Sequence, residues 1–314
     1  RDAVVEVPAA AGRGARIVGG LLDLAGAVGD LLRHVDEGGV DRIGDRPPQR
    51  DAAAVLSAAR VAHGDAVAAA LGVAVVVLAA GGVEGGGAHA ARHLELVGDD
   101  PQEIAARAES TDGPIFQAVR NIARDNGIAV VYGYPEVAEG KPYNSVQVVD
   151  RDGAALANYR KTHLYGFDRE FFTPGADWVA QFELDGVTCG LLICYDIEFP
   201  ENARAHADAG TQWLVVPTGL MEPWSFVATH IVPARAYESQ LFLSYVNRTG
   251  FENGLEYCGL SCTIAPDTTE LCRAGRTEDL LVTHIDPAVV AVSRAVNTHL
   301  GDRRRDLYQE NQTR

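Results

Sequence analysis

Aromatic residues are missing from the first third of the chain. Residues 1–115 contain no Phe, Tyr, Trp, Lys, Asn, Cys or Met. By length alone, about eight of the twenty-two aromatic residues of the chain would be expected there. The segment consists mainly of Ala, Gly, Val, Arg and Asp, residues that GC-rich codons encode. Chance does not readily explain so strong a bias in composition. We therefore consider residues 1–93 separately from residues 94–314.

An excess of positive charge is also absent, because the formal net charge is −16 at pH 7. Such a chain repels phosphates over most of its surface, so we expect no nucleic-acid partner. The dense basic cluster at 301–305 (GDRRR) is interpreted as a solvated or oligomer-facing tail. The chain shows no secretory signal, which makes cytoplasm the expected location. Residues 66–83 carry no charge, but they are rich in Ala and Gly rather than Leu, and no membrane helix is expected.

Cysteine is scarce and odd in number, with five residues: Cys189, Cys194, Cys258, Cys262 and Cys272. An odd count without a secretory segment argues against a disulfide framework. The spacing of Cys258 and Cys262 matches no common zinc pattern, and no nearby His completes one. We therefore expect no metal and structural burial for this pair.

Cys194 follows an apolar, strand-like run and precedes a helix-like stretch, in the sequence LLICYDIE (191–198). The first N–H groups of a helix favour a thiolate and can bind an oxyanion, so this junction suits a nucleophile. A buried core cysteine is the alternative interpretation. Lysine is rare, with two residues against twenty-five arginines, and Lys161 lies in the segment YRKTHLYG.

Eight segments in a fixed order carry a resemblance to a known family. They are 112–136 (DGPIFQAVRNIARDNGIAVVYGYPE), 143–153 (YNSVQVVDRDG), 159–166 (YRKTHLYG), 172–175 (FTPG), 190–204 (GLLICYDIEFPENAR), 233–250 (PARAYESQLFLSYVNRTG), 259–267 (GLSCTIAPD) and 301–308 (GDRRRDLY). With these segments, roughly the last two thirds of the chain resembles the nitrilase superfamily of carbon–nitrogen hydrolases, and most of all its small stereoselective amidases.

The resemblance implies a fold and a mechanism. Apolar runs alternate with helix-like segments such as 115–125 and 199–209, which predicts an α/β protein. The family's fold is a four-layer α-β-β-α sandwich. Carried over to this chain, Cys194 is the nucleophile and Lys161 the cation beside the developing oxyanion. The intermediate is a thioester, water releases the acid, and neither a metal nor another cofactor is required.

Two carboxylates of the family's pattern are not where they are expected. The general-base glutamate follows a Pro at the end of an early strand, and Ala79 and Ala80 occupy those two positions, with Glu84 four residues too late. Without a base, proton transfers lose about 10²- to 10⁴-fold in rate. A second glutamate normally helps to hold the lysine. Here Asp168 or Glu170 could do so, and an exposed pair of loop carboxylates is the alternative.

The resemblance also suggests a pocket wall and an assembly. Residues expected to bind substrate are Tyr195, Glu198, Thr218, Met221 and Trp224. A helix-start carboxylate explains Glu198 nearly as well, and a core position explains Trp224 equally well. The segment PARAYESQLF predicts a helix on which Arg235 and Glu238 can pair. In the family this region lies near the active site and the subunit contact, so a homo-oligomer is expected.

Two interpretations of the first third remain open. Residues 1–93 are either an out-of-frame or misassigned translation or a diverged N-terminal part. In the diverged case, a helix over 51–62 and a strand over 73–80 survive without the base. Residues 94–314 form the hydrolase domain in both cases.

Three functions remain open as well. The first is hydrolysis of a small carboxamide, amino acid amides included, through Cys194 and Lys161. The second is a nitrilase or N-carbamoyl amide hydrolase on the same scaffold, and the third is a catalytically impaired family member.

Overall fold

A five-stranded β-sheet is the first of two sheets in the described structure. The computed structural model describes residues 16–19, 74–78 and 107–309, apart from 253, 278 and 280. The strands are β1 Arg16–Gly19, β2 Ala74–Leu78, β3 Ala129–Ala138, β4 Lys141–Val149 and β5 Ala155–Arg160, in that order across the sheet. β1, β2 and β3 are parallel, whereas β4 pairs antiparallel with both β3 and β5. The carboxyl ends of β2 and β5 therefore lie at the same edge of the sheet.

The second sheet has six strands in the order β13-β12-β9-β8-β7-β6. Their bounds are β6 Ala180–Leu184, β7 Val187–Leu191, β8 Trp213–Thr218, β9 Phe242–Asn247, β12 Cys262–Ile264 and β13 Glu270–Arg273. A separate hairpin consists of β10 Thr249–Glu252 and β11 Leu255–Cys258. The central strands β7, β8 and β9 are parallel, so they end at one edge.

Helices cover both sheets. The α-helices of the described part are α1 Pro114–Asn126, α2 Asp168–Phe171, α3 Pro200–Asp208, α4 Val232–Ser239, α5 Ala288–Val296 and α6 Arg305–Gln309. Short 3₁₀-helices span Cys194–Glu198 and Thr298–Leu300, and a π-helical turn spans Val227–Ile231. None of the helices in the described residues is long and apolar enough to cross a membrane.

Strand β3 shows how the layers are built. Successive side chains of a strand point to opposite faces. On one face, Val131 belongs to the core that also contains the second sheet. On the other face, Val130 and Tyr132 pack with Ile115 and Val119 of α1, which lie four residues apart on one side of the helix.

The second sheet is covered on both faces. Every residue of β8 and β9 is buried, as is usual for parallel strands between two layers. One face shares its core with the first sheet, and Ala203 of α3 and Ala236 of α4 belong to the same core. The described layers are therefore helix, sheet, sheet and helix, which confirms the predicted α-β-β-α sandwich.

The predicted elements are confirmed where the structure describes them. α1 and α3 match the helices predicted over 115–125 and 199–209, and β2 lies within the strand predicted over 73–80. The predicted helix over 51–62 lies outside the described residues. One prediction is wrong in detail: β7 ends at Leu191, three residues before Cys194, which instead opens a 3₁₀-helix. Residues 191–193 (LLI) are buried because they enter the core, not because all of them belong to the strand.

Two expectations about side chains were settled by packing. Cys258 and Cys262 are both buried, as expected for structural cysteines. The basic cluster at 301–305 is not simply solvated, because Arg303 and Arg305 each bind the carboxylate of Asp208 in α3 at 2.8 Å.

His206 of α3 makes the fold sensitive to acid. Its side chain is fully buried, and a Cβ atom at Gly190 would lie 2.4 Å from its Nδ1. Burial lowers the pKa of His206 to about 4. Between about pH 6.5 and pH 4 the unfolded chain therefore binds a proton that the folded chain does not. We expect the free energy of unfolding to fall by up to about 3 kcal/mol over this range.

Urea unfolding at several pH values checks this. His206→Gln removes the titrating group, so its free energy of unfolding should fall less steeply with acid than that of the wild type. His230→Gln is the control, because His230 is exposed. Equal slopes for the wild type and His206→Gln would contradict the prediction.

Candidate active site

The thiol of Cys194 lies on a sharply bent segment after β7. The N–H of Leu192 still donates to the carbonyl of Val215 at 3.2 Å, and the backbone then leaves the sheet. Cys194 has φ +49°, in the left-handed region that side chains with a Cβ rarely adopt. A strained residue of this kind persists only where its surroundings fix it. The residue is half-buried and packs against the edge of the core.

Lys161 follows β5 directly and is 3% exposed. Its ammonium donates to the carboxylate of Asp168, which is buried at the start of α2. Burial lowers the pKa of Lys161, but the electrostatic effects of Cys194, Asp168 and Asp196 outweigh it, and the pKa is raised above its usual value. The positive charge of Lys161 is thus stabilised by negative charges around it, among which that of Asp168 is in direct contact.

Asp168, not Glu170, holds this lysine in the structure. Glu170 lies on the other side of the short helix α2 and is exposed. The alternative interpretation was that both carboxylates are exposed. It is wrong for Asp168, which is buried, and it fits Glu170. Sequence spacing left the two carboxylates equivalent, because only the direction of the helix decides which one faces inward.

A second ion pair, between the buried Glu136 and the partly exposed Arg160, lies next to the lysine in the chain. Glu136 is fully buried and accepts hydrogen bonds from Ser145 at 2.6 Å and Asn158 at 2.9 Å, and from Arg160 Nε at 3.1 Å. Burial raises the pKa of Glu136, but these donors outweigh it and lower the pKa. The guanidinium of Arg160 also lies 4.1 Å from the ring centre of Tyr143. The end of β5 is therefore fixed immediately before Lys161.

Asp196 is a central residue that the sequence did not single out. It is fully buried, two residues after Cys194. Its carboxylate accepts hydrogen bonds from the backbone N–H of Ile193 at 3.1 Å and of His163 at 2.8 Å. These contacts bring the segment after Lys161 against the segment that contains Cys194.

The predicted substrate-binding residues Tyr195 and Glu198 belong to the same 3₁₀-helix as Cys194. The ring of Tyr195 makes an edge contact with Phe199 at 4.9 Å between ring centres. Glu198 is half-buried, and burial raises the pKa of its carboxyl against the opposing effects of Arg235 and Lys161. Glu198 is the last residue of the 3₁₀-helix and also directly precedes Phe199, the N-cap of α3, so the interpretation as a helix-start carboxylate remains open.

The other predicted pocket residues lie at and beyond the end of β8. Thr218 is buried, and its hydroxyl donates to the phenol oxygen of Tyr245 at 3.0 Å. Burial raises the pKa of Tyr245, and the charges of Cys194 and Glu198 raise it further. Met221 is half-buried and pairs with Tyr257 through a backbone bridge. Trp224 is 42% exposed, so a core position for it is wrong.

Arg235 of α4 holds the far end of the Cys194 helix. Its Nε donates to the carbonyl of Ile197 at 3.0 Å, and an Nη donates to that of Glu198 at 2.7 Å. Helix-end carbonyls lack partners within their helix, so the guanidinium satisfies them. The predicted pair with Glu238 is confirmed at 3.0 Å. The contacts to carbonyls were not predictable, because they join segments thirty-seven and thirty-eight residues apart.

The position of the general base lies outside the described residues. Ala79, Ala80 and Glu84 follow β2, whose described part ends at Leu78. Leu78 pairs with Tyr132, and β2 ends at the same sheet edge as β5, after which Lys161 follows. In the described part of the chain, no group of three or more His, Cys, Asp or Glu side chains could hold a metal ion.

Comparison with known proteins gives a consistent set of relatives. Residues 10–295 match the family model described as carbon–nitrogen hydrolase. A protein of Pseudomonas protegens named "Hydrolase in pqqF 5'region" is 46% identical over 211 residues, 67% of this chain and 74% of that protein. An (R)-stereoselective amidase of Pseudomonas sp. is 40% identical over 203 residues, 64% of this chain and 73% of the relative.

Solved structures show the same similarity. A crystal structure of an amidase from Nesterenkonia sp. covers 95% of this chain and 95% of its own, with 25% identity and a TM-score of 0.62. A mutant of that amidase, with acrylamide added at its active site cysteine, gives a TM-score of 0.66 at 25% identity over 95% of this chain and 99% of its own.

Proposed function

Since this chain is an amidase-type member of the carbon–nitrogen hydrolase family, we propose that it cleaves the C–N bond of small carboxamides with Cys194 as nucleophile. The observation that carries the proposal is the contact, through Asp196, between the segment of the half-buried Cys194 and the segment of the buried Lys161. Lys161 is nearly inaccessible to solvent, and its charge is maintained by Asp168 and by the sulfur itself. A fixed cation in such an environment stabilises an oxyanion better than water does.

The reaction proceeds in two steps. The sulfur of Cys194 attacks the amide carbon, and negative charge builds on the carbonyl oxygen beside the Lys161 ammonium. The C–N bond then breaks, and the nitrogen receives the proton that the Cys194 thiol gave up, so it leaves as ammonia or an amine. Water attacks the resulting thioester, which releases the carboxylic acid and restores the thiol.

The relatives support a carboxamide as substrate. Two of them are named (R)-stereoselective amidase and 2-oxoglutaramate amidase, at 40% and 32% identity. A nitrile remains the second candidate, because a relative from Pyrococcus abyssi, 33% identical over 66% of this chain and 78% of its own, is named nitrilase. Hydrolysis of an N-carbamoyl amide would use the same scaffold.

Ammonia release from a panel of substrates tests the proposal. The panel contains simple aliphatic amides, both enantiomers of amino acid amides, N-carbamoyl compounds and nitriles. We expect turnover of amides, and a covalent acyl adduct on Cys194 in mass spectra of quenched reactions. Turnover of nitriles alone would favour the nitrilase alternative. No turnover by a protein that melts cooperatively would favour the catalytically impaired alternative.

A glutamate restored at position 80 should increase the rate. We expect Ala80→Glu to raise kcat by about 10²-fold, the lower end of what a positioned general base contributes. The reason is that β2 is present in the sheet and ends at the edge from which Lys161 extends. Steady-state ammonia release measures kcat, and Ala79→Glu, one residue earlier, is the matched control.

An unchanged kcat in Ala80→Glu would favour the misassigned translation of residues 1–93. Sequencing the gene across codons 80–100 tests that interpretation directly. An intact reading frame would leave the diverged N-terminal part as the explanation.

Exposed apolar side chains support the expected homo-oligomer. They lie on α4, α5 and α6 and comprise Tyr237, Val292, Val296, Leu307 and Tyr308. Exposed apolar side chains that lie together on a surface commonly mark a protein contact. Sedimentation velocity measures the number of subunits.

A further inference from the structure

The carboxylate of Asp196 joins the two segments that carry the candidate catalytic groups. We propose that Asp196 is a positioning residue that fixes the Cys194 segment against the Lys161 segment. This inference rests on the proposed function for its catalytic consequence. Its structural part, the control of the Cys194 thiol, does not depend on which substrate is hydrolysed.

On the lysine side, three donors to Asp196 lie within two residues of Lys161. The hydroxyl of Tyr159 donates to one carboxylate oxygen at 2.9 Å, and the hydroxyl of Thr162 and the backbone N–H of His163 donate to the other at 3.0 and 2.8 Å. Burial raises the pKa of Tyr159, and the negative charge of Asp196 raises it further. The phenol therefore keeps its proton and remains a hydrogen-bond donor. Residues on both sides of Lys161 in the sequence therefore donate hydrogen bonds to the same carboxylate.

On the cysteine side, Asp196 closes a tight loop around the nucleophile. The backbone N–H of Ile193 donates to its carboxylate at 3.1 Å, and its own N–H donates to the carbonyl of Ile193 at 3.0 Å. Cys194 lies inside this loop with its strained positive φ. Asn202 of α3 also donates to the backbone carbonyl of Asp196 at 2.8 Å. Removing the carboxylate would free Cys194 to relax to an unstrained conformation.

The four donors explain why a carboxylate is required. Two hydroxyls and two backbone N–H groups donate to the two oxygens of Asp196, and Nδ1 of His163 also lies 3.0 Å from one of these oxygens. A carboxylate only accepts hydrogen bonds, whereas an amide has one accepting oxygen and one donating nitrogen. Asp196→Asn would direct an NH₂ group at donors on one side and leave them unsatisfied. Displacement of a reacting group by about 1 Å can reduce a rate by about 10²-fold.

A matched pair of tyrosine variants isolates the proposed role. Tyr159 and Tyr132 are both fully buried, and each donates its hydroxyl to a buried side chain, Asp196 in one case and Gln147 in the other. Tyr159→Phe and Tyr132→Phe thus remove the same group from the same sheet. We expect Tyr159→Phe to lower kcat by about 10-fold, and Tyr132→Phe to lower it by less than about 2-fold at similar loss of stability.

Alkylation by iodoacetamide supplies a readout that is independent of turnover. Cys194 and Cys272 are both half-buried, so the rate at Cys272, read from the same digest by mass spectrometry, is an internal reference. We expect Asp196→Asn to slow alkylation of Cys194 by about 10-fold or more relative to Cys272 and to lower kcat by about 10²-fold with KM little changed. Adding Tyr159→Phe to Asp196→Asn should cause little further loss, since the two act through one contact.

The possible results distinguish a failure of the positioning role of Asp196 from a failure of the proposed function. Equal losses of kcat in Tyr159→Phe and Tyr132→Phe, or an unchanged alkylation ratio in Asp196→Asn, would overturn the positioning role. If Asp196→Asn does not fold, the tyrosine pair decides alone. If the wild type hydrolyses no member of the panel, the proposed function fails, and the alkylation ratio in Tyr159→Phe still decides whether Asp196 positions Cys194.

Discussion

Cys194→Ala is expected to release no measurable ammonia from any amide that the wild type hydrolyses. Removal of the nucleophile eliminates the thioester route altogether, and a loss of at least about 10⁴-fold in kcat is usual when a covalent nucleophile is deleted. The side chain is half-buried and small, so the variant should fold. Substrate binding should survive, because the pocket residues and Lys161 are untouched.

Cys272→Ala is the control for this prediction. Cys272 lies on β13 at the far side of the second sheet and is also half-buried, so its loss tests for general effects of removing a thiol. We expect wild-type kcat for Cys272→Ala and an acyl adduct in its mass spectrum, with no adduct in Cys194→Ala. Ammonia release by Cys194→Ala at a rate near that of the wild type would exclude the thioester mechanism.

The layers and the two central residues could be predicted from sequence. Alternating apolar residues along β3 and β4 fix which side chains face inward, and Pro114 and Gly127 bound α1 as expected of helix ends. Cys194 and Lys161 were identified because the order of the resembling segments placed each in a recognisable context. These features depend on short stretches of sequence, which a single chain displays directly.

What could not be predicted depends on contacts between distant segments. Asp168 and Glu170 differ in the structure because the one-turn helix α2 turns one of them inward. Asp196 receives donors from residues more than thirty positions earlier, and no local pattern reveals that convergence. Trp224 is exposed although large aromatic residues are more often buried. The local sequence identified candidate residues, and the packing of distant segments determined which of them face inward.

Lys161→Met should lower kcat by about 10²- to 10³-fold, the loss expected when a group that stabilises an oxyanion is removed. It should also weaken folding, because the buried carboxylate of Asp168 would lose its partner. Breaking one side of a buried ion pair costs about 3 to 5 kcal/mol. In the wild type the raised pKa of Lys161 keeps the pair intact at neutral pH, and its contribution to stability is lost only as the pH rises above about 10.5 and through that raised pKa.

The double variant Lys161→Met/Asp168→Asn distinguishes a chemical role of the ammonium from a structural one. It removes both charges, so no carboxylate is left unpaired, and urea unfolding should show that most of the lost stability returns. Ammonia release should nevertheless remain as low as in Lys161→Met, because the oxyanion still lacks its cation. If kcat instead recovered together with stability, Lys161 would serve only the fold. The cation beside Cys194 would then have no part in the reaction.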